Sequence, residues 1–313
     1  MLPDVAALLQ RIAQSDVPDI VEMPLNEARR AYEASCALLD KAGPQIAHIK
    51  DFAIESDTGA IPARLYDPAP GTSALTHALV FFHGGGFVIG NLDTHDGFVR
   101  RLVRVLGIPA IAVDYRLAPE HPFPAAIEDC MAAAQWASKA LSAMLGRAVS
   151  GLIVVGDSAG GNAAAVVAHS WVDTGAVPLA LQVLLYPATD HAHDYPSFEA
   201  HVDGKLLERN AIDFFANAYV PEGTDPQDPR LSPLYAALGK TVPPAVIAVA
   251  ELDPLHDEGI AYAQKLKSAG VAVSVLDEPG LIHGFYTLRG ALPAGDESVD
   301  RLADLIKNAL STP

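Results

Sequence analysis

The chain has 313 residues, half of them apolar, and a formal net charge of −17 at pH 7. That much apolar material buries one sizeable core, or a core plus a small lid, and excludes global disorder. A surface so acidic repels phosphate backbones and anionic lipid, so nucleic acid is not an expected partner; beyond that, the charge speaks only for solubility.

The first 46 residues read as helical. Val5, Leu8, Leu9 and Ile12 recur at helical spacing, as do Tyr32, Cys36 and Leu39, and Pro18 and Pro24 interrupt the pattern between them. The opening MLPDVAALLQRIAQ lacks the basic-then-apolar pattern of a secretory signal. No run approaches the roughly 18 apolar residues of a membrane helix, so no stable membrane insertion is expected and a cytoplasmic protein is. Residues 47–54 and 61–66 read as strands around the turn-like Asp57-Thr58-Gly59. Short apolar runs then follow at 78–82, 108–113, 151–155, 180–185, 245–250 and 271–276, separated by helical segments such as 125–145 and 259–269. Strands covered by helices on both faces have this pattern, which predicts an α/β fold with a mostly parallel sheet. The stretch of about 190–220 breaks the alternation and carries Phe198, Leu206, Leu207, Phe214, Phe215 and Tyr219. With residues 1–46 it is read as a helical cap on a body spanning 47–313. Cys36 and Cys130 form no C-x-x-C pair, which removes a thiolate zinc site and favours two buried thiols over a disulfide.

The strongest local signal is Gly156-Asp157-Ser158-Ala159-Gly160, a G-x-S-x-G between an apolar strand and an alanine-rich helix. A sharp turn there lifts Ser158 out of the sheet toward the amides of a helix N-terminus, and the glycines remove side chains that would collide across it. The competing reading is a glycine-rich turn with Ser158 as a helix cap. Upstream, a second apolar strand runs into His83-Gly84-Gly85-Gly86-Phe87. Glycine lets backbone N–H groups approach an oxyanion closely, so Gly85, Gly86 and Ala159 are the expected donors, with His83 orienting the loop. A phosphate-binding loop would need spacings that this segment lacks.

Chain order in a nucleophile-elbow fold is serine, acid, histidine. Asp253 and His283 each follow a predicted strand, at the edge where parallel sheets hold ligands. His283 is the expected general base and Asp253 the group that orients it. Asp253-Pro254 also reads as a helix cap, and Glu251 and Asp257 remain competing acids. Asp190, His191, His193 and Asp194 fall in a predicted loop without paired-histidine helical spacing, so they read as solvated rather than metal-binding. Phe87, Tyr186, Phe214, Phe215, Leu255 and Ile282 are expected to line the substrate pocket.

These motifs, together with Asp114-Tyr115-Arg116-Leu117-Ala118-Pro119-Glu120 and His283-Gly284-Phe285, resemble the hormone-sensitive-lipase-like (family IV) bacterial esterases from about Leu65 to Phe285. The resemblance implies an α/β-hydrolase fold with an eight-stranded, mostly parallel sheet under a helical cap. It also implies Asp253 rather than Asp257 as the acid, a small-molecule ester of short to medium acyl length as substrate, no metal or organic cofactor, and, as in many relatives, a homodimer. His256 departs from the arginine common in that family, which puts a local salt bridge in doubt. Arg116 and Glu120 are expected to pair with each other. An amidase or peptidase on the same scaffold remains a rival. So does a non-catalytic receptor, although the plant receptors that resemble this family lack the histidine that this chain keeps.

Overall fold

The computed structural model describes residues 1–15, 18–172, 176–239 and 241–311. Two helices, α1 (Pro3–Ala13) and α2 (Leu25–Leu39), precede the sheet. The strands are β1 (His48–Ser56), β2 (Gly59–Asp67), β3 (Thr76–Phe82), β4 (Ala110–Val113), β5 (Val149–Asp157), β6 (Leu179–Leu185), β7 (Ala245–Leu252) and β8 (Val273–Ile282). Helices α3 (Asp96–Leu106), α4 (Ala125–Leu145), α5 (Ala159–His169), α8 (His256–Ser268) and α9 (Pro293–Ser311) connect or follow them, and α6 (Pro196–His201) and α7 (Arg209–Tyr219) are inserted between β6 and β7. The eight strands run in the order β1-β2-β4-β3-β5-β6-β7-β8. β2 is antiparallel to both its neighbours, and β3 to β8 are parallel.

This order places a topological switch point between β3 and β5. The chain leaves β3 toward β4 and returns to the other side as β5, so the loops after β3 and β5 part and leave a crevice at the carboxyl ends of the strands. The apolar runs are buried on both faces. Val80, Phe82, Leu152 and Val154 face a core closed by α4, α5 and α8, whereas Leu79, Phe81, Ile153 and Val155 face one closed by α1, α3 and α9.

Most strands differ at their ends from the sequence reading, β4 and β8 for reasons visible in the structure. β4 is shorter, because Ile108 and Pro109 precede its pairing. β8 is longer and runs through Asp277-Glu278-Pro279-Gly280, which resembles a turn. As an edge strand β8 tolerates the missing amide of Pro279. A register shift opposite Ala250–Leu252 absorbs the extra residues, with Gly280 at φ +70°. Glu251 accepts the Gly280 amide at 2.6 Å, which occupies one of the competing acids. Cys36 and Cys130 are both buried free thiols. Among the described residues, no helix is long and apolar enough to cross a membrane.

Candidate active site

Ser158 lies between β5 and α5 with φ +55° and ψ −117°, a strained conformation for a residue with a Cβ that costs about 1–3 kcal/mol. The surroundings hold it there. Its amide donates to Leu185 O at 2.9 Å, and its carbonyl accepts from Asn162 at 3.0 Å and Ala188 at 3.3 Å. The turn is tight enough that a Cβ on Gly156 would strike Gly160 O, and one on Gly160 would strike Phe82 O.

His283 follows the bulged end of β8 and is 9% exposed. Its Nε2 stands 2.9 Å from Ser158 Oγ, and its Nδ1 stands 2.7 Å from Asp253 Oδ2. Since a carboxylate only accepts, Nδ1–H donates to Asp253 and Nε2 is left to accept from the serine hydroxyl. Asp253 is fully buried, and its second oxygen accepts the Leu255 amide at 2.8 Å. The expected helix cap is not made: α8 starts at His256 with Leu255 at the cap position and no side-chain cap bond, so the second Asp253 oxygen closes the turn that leads into the helix. Asp257 is turned elsewhere, to His256 Nδ1 at 2.8 Å and the Ser197 amide at 3.0 Å. His256 also reaches Asp277 at 3.4 Å, so histidine makes contacts to two carboxylates at the position where an arginine is missing, and these are ion pairs when the ring is protonated.

The loop after β3 turns through positive φ at Gly85 (+116°), Gly86 (+60°) and Phe87 (+60°). The Val88 and Ile89 amides close it onto Gly85 O, each at 3.0 Å. Among the described residues, the Gly85 and Gly86 amides donate to no acceptor, and Ala159 is the first residue of α5, whose amide has no partner within the helix. Register pairs Phe82 with Gly156, and a Cβ on Gly84 would strike Asp157, so the glycine loop and the serine turn leave neighbouring strands at the switch point. Asp157 accepts the Gly84 amide at 2.8 Å and lies 3.2 Å from His95 Nε2, which ties this loop to the serine turn. His83 stacks on Tyr115 at 4.3 Å, with Nδ1 2.8 Å from Gly84 O. Burial and then His95 push its pKa down to about 4, so it is a neutral support.

The expected pocket residues divide. Phe215 lies against Gly86, where a Cβ would strike its ring, and Phe214 packs edge-on to Phe215 at 5.5 Å. Leu255 is half-buried beside Asp253. Phe87, however, is buried and stacks at 4.2 Å on Tyr219 of α7. Ile282 is likewise closed into the core beneath the sheet. Tyr186 is buried as well, its ring 4.8 Å from that of His283, so it braces the imidazole from behind.

Two smaller expectations fail. Arg116 does not pair with Glu120; it grips Asp129 with two bonds of 2.9 Å, while Glu120 pairs with Arg29 of α2. Nor is Asp190 solvated. It is buried and accepts from Tyr195 at 2.9 Å and Tyr235 at 3.0 Å, and among the described residues no cluster could hold a metal ion. The sequence reading also missed Asp157 as a tether. It was in view inside the serine motif, but its partner lies 73 positions away.

A parallel sheet with a serine turn at its switch point, and acid and histidine after its last two strands, defines an α/β hydrolase. The alpha/beta hydrolase fold family model matches residues 79–287, and the chain belongs to that family. Within it the chain is hormone-sensitive-lipase-like. It is 37% identical over 316 residues to the ethyl acetate hydrolase of Pseudomonas putida, covering 98% of this chain and 99% of that one. It is 43% identical over 256 residues to the carboxylesterase NlhH of Mycobacterium tuberculosis, covering 80% and 79%. Among solved structures, an ester hydrolase from the Lake Arreo metagenome, complexed with a bipyridine phosphonate derivative, superposes over the whole of both chains with a TM-score of 0.93 at 38% identity. The hyperthermophilic esterase of Pyrobaculum calidifontis gives 0.90 at 36% identity over 98% of each chain.

Proposed function

We propose that this chain is a carboxylic-ester hydrolase that cleaves short- to medium-chain acyl esters by acyl transfer to Ser158. The observation that carries the reading is the hydrogen-bonded line Ser158–His283–Asp253 beside two unpartnered glycine amides. The relatives' names, ethyl acetate hydrolase and carboxylesterase, point the same way.

In the first half-reaction Ser158 Oγ attacks the ester carbonyl carbon and its proton passes to His283 Nε2. The carbonyl oxygen becomes an oxyanion and accepts from the Gly85, Gly86 and Ala159 amides. Collapse of the intermediate breaks the bond to the alkoxide, which leaves with the proton from Nε2. Water then repeats the sequence, giving its proton to His283 and releasing the acid and free Ser158. Asp253 keeps the imidazole in the tautomer that can accept and stabilises its cationic form. Helices α2, α6 and α7 act as the cap, with Phe214 and Phe215 toward the acyl or alcohol group, whereas α1, expected in the cap, packs on one face of the sheet.

The test compares p-nitrophenyl acetate, butyrate and octanoate on the parent and on Ser158→Ala, with mass spectrometry after a serine-directed phosphonate. The parent is expected to favour the shorter esters and to take up one phosphonyl group at Ser158. Turnover that survives Ser158→Ala refutes the assignment.

A further inference from the structure

One side chain of α2 reaches into the loop that carries the free amides. Arg29 Nε donates to Val88 O at 2.9 Å, and Nη2 donates to Ala118 O at 3.0 Å. Nη1 and Nη2 also hold the two oxygens of Glu120 at 2.8 and 2.7 Å, and this pairing keeps the Glu120 carboxyl below its ordinary range. The two backbone acceptors belong to segments that are themselves joined, since the Ala118 amide donates to Phe87 O at 2.8 Å. Val88 is also the residue whose amide closes the turn onto Gly85 O. The turn is therefore held at one end by Asp157, through Gly84, and at the other by a guanidinium from outside the sheet. One planar fork satisfies four acceptors on two segments, which the point charge of a lysine cannot reproduce. One turn further along α2, Glu33 accepts from Asn91 and fixes the helix beside the same loop.

We propose that Arg29 is a positioning residue that couples the seating of α2 to the aim of the Gly85 and Gly86 amides. With the helix seated, the turn is clamped at both ends and the two N–H groups are held toward the developing oxyanion. With the helix lifted, Val88 O and Ala118 O lose their donor and the turn relaxes. The idea rests on the reading of Gly85 and Gly86 as oxyanion donors. It assigns the N-terminal helix a part in the chemical step as well as in covering the site.

A clamp of this kind acts on the transition state more than on bound ester. Removal of a whole oxyanion donor costs about 10²–10³ in kcat, so misaiming donors that remain present should cost about 10- to 100-fold. The experiment measures kcat and KM on p-nitrophenyl butyrate, the inhibition constant of an alkyl trifluoromethyl ketone, and Tm, for Arg29→Lys, Arg29→Met, Arg29→Ala and Gly86→Ala. Ser158 Oγ adds to the ketone carbonyl carbon with its proton passing to His283, leaving an oxyanion in the same cradle. The expected result for Arg29→Lys and Arg29→Met is a kcat loss of about 10- to 100-fold, matched by the loss in ketone affinity, with KM within about threefold. Guanidinium chloride is expected to restore part of the kcat of Arg29→Ala. If Arg29→Met lowers Tm but leaves kcat and ketone affinity near the parent's, or lowers kcat without weakening the ketone, the proposal is overturned. In that event a Gly86→Ala variant that loses both leaves the oxyanion reading standing, whereas one that keeps both overturns that reading too.

Discussion

Replacing Asp253 by asparagine is the most discriminating perturbation of the proposed machinery, because it alters a proton position and almost nothing else. The carboxylate is fully buried, with one oxygen 2.7 Å from His283 Nδ1 and the other 2.8 Å from the Leu255 amide. An asparagine of the same shape keeps its oxygen on the Leu255 amide, which can only donate, and turns its NH₂ toward Nδ1. Nδ1 must then accept, so the ring proton moves to Nε2, where it faces Ser158 Oγ at 2.9 Å. The serine loses its base although no atom has moved far. The analogous exchange in a serine protease lowers kcat about 10⁴-fold, which is about 5 kcal/mol at 1.36 kcal/mol per decade. The assay is steady-state hydrolysis of p-nitrophenyl butyrate with Tm measured on the same samples, and phosphonate labelling should slow in parallel. If Asp253→Asn keeps more than about a tenth of the parent kcat at an unchanged Tm, a loss far short of 10⁴, the tautomer argument is wrong. Asp257→Asn and Glu251→Gln would then have to be measured in its place.

Three further outcomes are expected. Asp67 and Arg147 form a buried pair at 2.7 Å, with side chains 4% and 2% exposed, so Asp67→Ala strands a guanidinium in the core. It should cost about 3–5 kcal/mol by urea unfolding, and a loss under about 1 kcal/mol would show that water reaches the arginine. Burial, followed by Asp93, raises the Asp114 carboxyl from 3.8 to about 6. The folded state therefore binds this proton more tightly than the unfolded chain, and the stabilisation is complete below about pH 4 and lost above about pH 6. Two units correspond to at most about 3 kcal/mol, and solvent at a carboxyl 33% exposed reduces that to about 1 kcal/mol. Asp114→Asn should thus be more stable than the parent near pH 8 and equal to it near pH 4; the same gain at both would remove the titration from the explanation. Burial raises Glu258 well above the ordinary carboxyl range where it accepts the Thr189 amide. Glu258→Gln should therefore match the parent in Tm, whereas Glu258→Ala leaves that amide unpaired and should lose about 1–3 kcal/mol.

What could be read in the chain was whatever local chemistry dictates. Ser158 was legible because a sharp strand-to-helix turn needs glycine on both sides, and Gly156 and Gly160 each leave no room for a Cβ. Chain order singles out Asp253 and His283, which the structure brings within 2.7 Å of each other, whereas Glu251 and Asp257 bond to Gly280 and to His256 and Ser197. What was hidden depends on where the chain goes next. The choice between Arg116 and Arg29 as the partner of Glu120 is settled by which helix packs on that segment, and Arg29 is 91 positions away. Phe87 reads as a pocket residue because it follows the glycines, but its ring is buried against Tyr219, which lies 132 positions further along the chain. The apolar run ends at 276, yet β8 continues to Ile282, because an edge strand can hold Pro279 and Gly280 as a bulge.

The two halves of the machinery hang from unequal supports. The serine and the glycine amides follow β5 and β3, neighbouring strands that are each paired on both sides. The histidine follows β8, which has one partner, ends in a bulge and borders on no further strand. Warming should loosen the rim before the centre, since protection against local opening falls toward sheet edges. The enzyme is thus expected to fall silent a few degrees below the point at which it unfolds, with the imidazole wandering while the amides still wait in place.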